Sequence, residues 1–318
     1  MGRRIIKLPI LIALLLLLST ALYLLVFAIS GRETASPNSS PVSDDTADIN
    51  ALSQTPNNSE DYAFTLITAL QMDSAGISRG SLILVNSDHP FEIPTDHDFV
   101  PIANAKSSSY MVVRNDMLLS ASIMGSLNDM MDTFYAETGI SNVTIRSAFR
   151  SIEEQQQALD NRIAIQGYAE ALRYAMRPGH SEHHTGLAFD FGIQNEDSLG
   201  MFHGTGDFAW FRNNSYRFGF ILRYTEELYE ITGISNEPWH YRYVGVPHAY
   251  FIHRNGWALE EYIEYIMTFT PEDPVRDYVD GVSYEIFYTQ ETEIVIPAGA
   301  EYSISGNNID GFIVTLRR

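Results

Sequence analysis

Two short segments, roughly fifty residues apart, constrain this chain more than anything else in it. They are Ser181-Glu182-His183-His184-Thr185-Gly186-Leu187-Ala188-Phe189-Asp190 and Glu237-Pro238-Trp239-His240. Large apolar residues at 187, 189, 191 and 193 predict a strand over Leu187 to Ile193. Its period of two puts Ala188, Asp190 and Gly192 on the other face. A carboxylate on so apolar a strand is costly unless it meets a cation or a metal. His183 stands just before the strand, and Gly186 permits a tight bend between them. In the second segment Trp239, Tyr241 and Tyr243 share one face, while His240, Arg242 and Val244 share the other. Pro238 fixes the backbone ahead of them, and Glu237 lies on the loop side of His240.

Taken singly, each residue has an ordinary reading. A lone histidine is more often a hydrogen-bonded core or surface residue than a ligand, and Asp190 suits a buried ion pair. His184, beside His183, fits a bystander at the surface. Taken together, the residues offer two imidazoles, a strand carboxylate and a spare glutamate. A catalytic zinc takes such a set: three N or O ligands, an open position for water, and a base beside it.

The two segments resemble the S-x-H-x-x-G-x-A-x-D and E-x-x-H signatures of zinc D,D-peptidases of the VanY type, the LAS group of peptidoglycan carboxypeptidases. Ser147-Ala148-Phe149-Arg150-Ser151 followed by Gln155 is similar to the family's S-x-[YF]-R-S-x-x-x-Q segment. The stretches Arg177 to His183, Phe218 to Tyr224 and Glu237 to Gly245 resemble further blocks of it, in the same order. The likeness covers roughly residues 80 to 265. It implies that His183, Asp190 and His240 bind Zn2+, with water in the fourth place. Glu237 would be the general base and then the acid for the leaving amine. Arg150 would stabilise the oxyanion, opposite the metal. Ser181 and Gln155 are the candidates for binding substrate. The bland reading of Arg150 is a surface arginine at a helix start. Ser151-Ile152-Glu153-Glu154 is a capping-box pattern, and a capped helix would aim the arginine rigidly. Gln155 is then either a support behind the site or ordinary exposed helix. His203, in a glycine-rich stretch, reads as a surface loop or as a lining of the cleft.

The implied substrate is a peptidoglycan stem peptide ending in D-Ala-D-Ala. Rivals with the same chemistry are an L,D-carboxypeptidase, a cross-link endopeptidase and a dipeptidase; export disfavours the last, whose substrate is cytoplasmic. A non-catalytic wall-binding domain is a different class, and the intact Glu237 argues against it.

Other features bound the organisation. Leu8 to Ile29 is an uncharged, leucine-rich run after Arg3, Arg4 and Lys7. It is long enough to cross a bilayer, which takes about 20 residues, with the amino terminus in the cytoplasm. Its length favours an uncleaved signal anchor over a cleavable signal peptide. Residues 31–60 are rich in Ser, Thr, Asn, Pro and Asp and lack aromatics, as a disordered linker would. The domain organisation expected is therefore an anchor over 1–30, a linker over 31–60, a zinc carboxypeptidase domain over 61–268 and a β-rich appendage over 269–318. The enzyme would be single-pass in the cell membrane with its catalytic domain outside. A net charge of −20 excludes nucleic acid as a partner, and the absence of cysteine excludes disulfides and thiolate metal sites.

The fold class expected is α+β: helices around a small antiparallel sheet carrying the zinc site, plus a transmembrane helix and the appendage. Helical spacing is read over Tyr62 to Met72, Met117 to Thr138, Ser151 to Tyr174 and Trp257 to Met267. Strands are read at Ser81 to Val85, Tyr284 to Tyr288, Glu291 to Ile296, Tyr302 to Ile304 and Phe312 to Leu316.

Overall fold

A computed structural model describes residues 67–318. The expected anchor and linker lie outside those residues; among the described residues no helix is long and apolar enough to cross a membrane.

The segments carrying the candidate ligands meet in a mixed sheet. Its strands are β1 (Met111–Val112), β2 (Val143–Ser147), β3 (Ala188–Gln194), β4 (Leu199–Met201), β5 (Phe220–Leu222) and β6 (His240–Tyr243). They lie in the order β1-β2-β3-β6-β5, with β4 pairing the far end of β3. Only β1 and β2 run parallel. The register sets Asp190 directly opposite His240, and Ser147 opposite Asp190 after a bulge in β2. The apolar face of β3 carries Phe189 and Phe191, both fully buried against Phe211, Phe220 and Tyr241.

Helix α1 (Met124–Thr138) covers this core with Met124, Leu127, Met130, Met131 and Phe134 and ends at Gly139 in the left-handed conformation. It starts later than the periodicity suggests. Leu118–Ser120 pairs with Phe99–Pro101 instead, and the Ser120 side chain accepts the Ser122 N–H, turning the backbone into a 3-10 turn first. Helix α2 (Ile152–Gln166) begins with both hydrogen bonds of the Ser151–Glu154 capping box. It stops at Gly167, φ 80°, where the sequence pattern carries on to Tyr174; a one-turn helix α3 (Tyr168–Ala171) follows.

Two further expectations are corrected. Residues 67–71 of the expected first helix form a strand, paired antiparallel with residues 293–297. The apolar segment Ser81 to Val85 is not in a sheet. Its side chains alternate as a strand's would, but Ile83 and Val85 enter the core around β3 while Leu82 and Leu84 enter a second core. Its backbone bonds to Ser305 Oγ, the Asn307 carbonyl and the Arg242 guanidinium rather than to a neighbouring strand.

That second core is formed with α4 (His248–Asn255) and α5 (Leu259–Ile266). It also receives Ile286 and Ile313 from the carboxyl-terminal strands β7 (Val275–Val279), β8 (Val282–Thr289), β9 (Glu293–Pro297), β10 (Glu301–Gly306) and β11 (Phe312–Arg317). Four of these form an antiparallel sheet in the order β7-β8-β11-β10, and β9 takes Ile67–Gln71 as its partner. The described residues, 67–318, belong to one compact unit. The architecture is a mixture of helix and sheet, with the antiparallel carboxyl-terminal sheet following the helices.

Candidate metal centre

His183 Nε2 or Nδ1, an Asp190 oxygen and a His240 ring nitrogen lie within 4.8 Å of one another, all buried. His183 comes from a 3-10 turn capped by Ser181, whose side chain accepts the His183 N–H. That turn ends at Gly186, with φ 68° and the Phe99 ring 2.6 Å from where a Cβ would stand. Only glycine fits such a corner without displacing the turn that aims His183. Asp190 and His240 face each other across β3 and β6, so the sheet register fixes their separation.

Hydrogen bonding assigns the ring protons. Arg150 Nη2 lies 3.0 Å from His183 Nε2, and a guanidinium can only donate. Nε2 therefore offers its lone pair to the site, and Nδ1–H donates to the Ala148 carbonyl at 2.7 Å. Burial, reinforced by Arg150, pushes the His183 pKa down to about 4, so the ring is neutral. His240 differs. Its Nδ1 is 2.9 Å from Asp190 Oδ1 and its Nε2 is 3.3 Å from Glu182 Oε2. Both partners are acceptors, so both nitrogens carry protons. Burial opposes that charge, but Asp190 and Glu182 outweigh it and hold the pKa at about 9. A cation ligated at Nδ1 would displace that nitrogen's proton and leave Nε2–H donating to Glu182. Burial would raise Asp190, but His183 and His240 keep it well below the usual carboxylate range.

Glu237 Oε2 is 4.0 Å from His240 Nδ1, and the carboxyl is buried. Burial, above all, pushes its pKa up to about 8. Arg150 is half-buried. It donates to Ser147 Oγ, to Gln155 Oε1 at 3.0 Å and to Asp190 Oδ2 at 3.1 Å. Its guanidinium thus lies against two of the three donor groups. Gln155, read as a candidate for substrate contact or as exposed helix, is fully buried: its amide nitrogen donates to the Met176 carbonyl while its oxygen receives Arg150. Ser181 lines the same cleft of about 560 Å³ as Arg150, His183, Asp190, Glu237 and His240. His203 is exposed and does not line it. His184 is no surface bystander but fully buried, donating to the Arg150 carbonyl and accepting the Gly179 N–H.

Sequence reasoning missed a charge cluster behind the triad. Glu182 is buried and accepts from Arg223 Nε at 2.8 Å and Arg242 Nη1 at 2.9 Å, besides facing His240. Arg223 continues to Glu260 on α5, which also receives the Asn86 amide. Burial would raise Glu182, but the two arginines and His240 hold its pKa far below the ordinary value. A signal for this cluster was present: Arg242 shares a strand face with His240, and a buried guanidinium demands a carboxylate.

Comparison with known proteins fits this geometry. Residues 116–246 match the family model described as VanY: D-alanyl-D-alanine carboxypeptidase. A D-alanyl-D-alanine carboxypeptidase of Enterococcus faecium is 34% identical over 247 residues, 76% of this chain and 76% of the relative. One from Enterococcus faecalis is 39% identical over 210 residues, 63% of this chain and 70% of the relative. The crystal structure of the vancomycin resistance D,D-dipeptidase VanXYg, in complex with a D-Ala-D-Ala phosphinate analogue, is similar with a TM-score of 0.71. It is 32% identical, and the match covers 80% of this chain and 100% of that one. The chain belongs to the VanY family of D-alanyl-D-alanine carboxypeptidases and is a metallopeptidase.

Proposed function

We propose that this protein is a membrane-anchored zinc carboxypeptidase that removes the terminal D-Ala from peptidoglycan stem peptides. The observation that carries the reading is the donor set His183, Asp190 and His240 with the Glu237 carboxyl beside it. Two imidazoles and one carboxylate, each held from behind, suit zinc with a position left for water. Bound there, zinc would supply Lewis acidity to the scissile carbonyl and lower the pKa of a water.

The chain's own residues do the rest. Glu237 takes the water's proton and returns it to the nitrogen of the departing D-Ala. A carboxyl raised to about 8 by burial is matched to moving protons near neutrality. Arg150, fixed by Ser147 and Gln155, keeps one Nη1 hydrogen free to meet the oxyanion as the carbonyl becomes tetrahedral. Ala148 holds His183 in its donor tautomer, and Glu182 fixes the ring plane of His240. The anchor rests on the apolar run at Leu8 to Ile29 and would place the catalytic unit outside the cell.

Zinc-loaded and chelator-treated protein should be incubated with defined penta- and tetrapeptide stems and the products weighed. The reading expects loss of one D-Ala from the pentapeptide, abolished by chelation and restored by zinc. Cleavage of the tetrapeptide alone would assign L,D-carboxypeptidase activity, and no cleavage of either would favour a wall-binding role.

A further inference from the structure

A carboxypeptidase substrate has one residue beyond the scissile bond. Everything else, including its link to the polymer, must leave the cleft on the other side. Arg146 lines the metal cleft and also a second groove of about 330 Å³ flanked by β2 and α2. The two hollows share Arg146, Ser147, Arg150 and Ala158, so the groove continues the cleft past Arg150. Resting on the carboxypeptidase reading, we propose that Arg146 binds a side carboxylate of the stem peptide upstream of the scissile bond, and so selects stems that are acidic there.

The sheet places this guanidinium. Arg146 is the extra residue of the bulge in β2, between the pairs Ile145–Phe191 and Ser147–Asp190. Its Cβ lies 3.3 Å from where a Cβ on Gly192 would stand. Its Nη1 is 2.9 Å from Sδ of Met201, the residue of β4 paired with Gly192. The side chain therefore crosses β3 above Gly192, on the face that carries Asp190, and rests beside Met201 in the cleft. Asp190 is two residues away, about 7 Å along the strand. An extended peptide covers about the same distance in two residues, so Arg146 meets groups two or three residues from the reacting bond.

The chemistry is that of an unspent cation. Arg150 is committed to Ser147, Gln155, Asp190 and His183. Arg146 is exposed and, among the described residues, meets no carboxylate; its acceptor is a thioether, which is a weak one. Its fork of donors suits a carboxylate taken through two N–H groups. The departing D-Ala has no side carboxylate, so that group can come only from upstream. A stem offers two sources, the free carboxylate of its isoglutamyl residue and that of a diaminopimelate in third place.

The test compares zinc-loaded parent with Arg146→Gln and Arg146→Lys on four pentapeptides ending in D-Ala-D-Ala. The isoglutamyl carboxylate is free or amidated, and the third residue is lysine or diaminopimelate. On whichever acid Arg146 reads, Arg146→Gln should raise KM on the order of tenfold with kcat little changed, and lysine should restore part of it. On the peptide lacking that acid, the parent should already be poorer and Arg146→Gln should make no further difference. The parent's preference should also narrow as salt is raised. Equal losses on all four peptides, or no loss on any, would overturn the assignment. Turnover by the parent tests the carboxypeptidase reading separately. Calorimetry of the same peptides binding to Glu237→Gln, with and without Arg146→Gln, reads the contact even without turnover. Equal affinities for acidic and neutral stems, or no binding of either, would refute it.

Discussion

Glu182 Oε2 lies 3.3 Å from Nε2 of His240, on the side of the ring that faces away from Asp190. Glu182 itself is pinned by Arg223 and Arg242, and Arg223 by Glu260. The second candidate ligand histidine is therefore set by a buried row of alternating charges running back to α5.

Neutralising the centre of that row should be costly. Glu182→Gln leaves the buried Arg242 guanidinium without a carboxylate and Arg223 with Glu260 alone, and breaking such a buried pair typically costs about 3–5 kcal/mol. Loss of a partner behind a metal ligand also weakens metal binding, typically by about 10–100-fold. Thermal unfolding and a zinc titration of the variant check both. An unaltered melting temperature would show that the row is not stabilising.

Glu237 and His240, three residues apart, should fail differently. Glu237→Ala should keep its zinc and lose roughly 10²–10⁴ in turnover, because it moves protons and does not ligate. His240→Ala and Asp190→Ala should lose metal as well as rate, since each removes a ligand. Elemental analysis beside peptide hydrolysis separates the two phenotypes, and parental turnover by Glu237→Ala would refute the assignment of the base.

Acid should loosen the second core through His248. This histidine is fully buried between Tyr262 on α5 and Thr315 on β11, and burial pushes its pKa down to about 3. The unfolded chain takes up a proton near pH 6.5 and the folded one does not. Its contribution is thus complete above about pH 6.5 and declines as pH falls from there to about 3, by at most about 1.4 kcal/mol per pH unit. His248→Gln should flatten the chemical-denaturation stability profile in that window. An unchanged slope would place the acid sensitivity elsewhere.

The protein should fractionate with membranes, its catalytic unit accessible from outside to protease. The run Leu8 to Ile29 behind three basic residues motivates this. A soluble form beginning near Gly31 as the main species would show that the segment is cleaved instead.

Much of the site was legible because its residues sit on elements with simple periods. Alternation on β3 and β6 isolates Asp190 and His240 from their apolar neighbours, and both ends of the capping box of α2 are written in sequence. What stayed hidden depends on contacts between distant segments. Nothing local to Glu182 announces that two arginines, 41 and 60 residues on, will close over it. Ser81 to Val85 has a strand's composition but finds side chains and a distant carbonyl, not a strand edge, beside it. The strand at Ile67–Gln71 has its partner at Glu293–Pro297, so its own helical spacing was overridden from across the chain.

That pairing decides how the molecule would carry a load. Tension on the chain ahead of Ile67 enters through the hydrogen bonds to β9 and the side chains of Leu70 and Met72, which pack with Ile294, Ile296 and Phe312. The strands holding Asp190 and His240 belong to another sheet and lie off this path. Pulling on that end would load this two-stranded pairing first, ahead of the strands that carry Asp190 and His240.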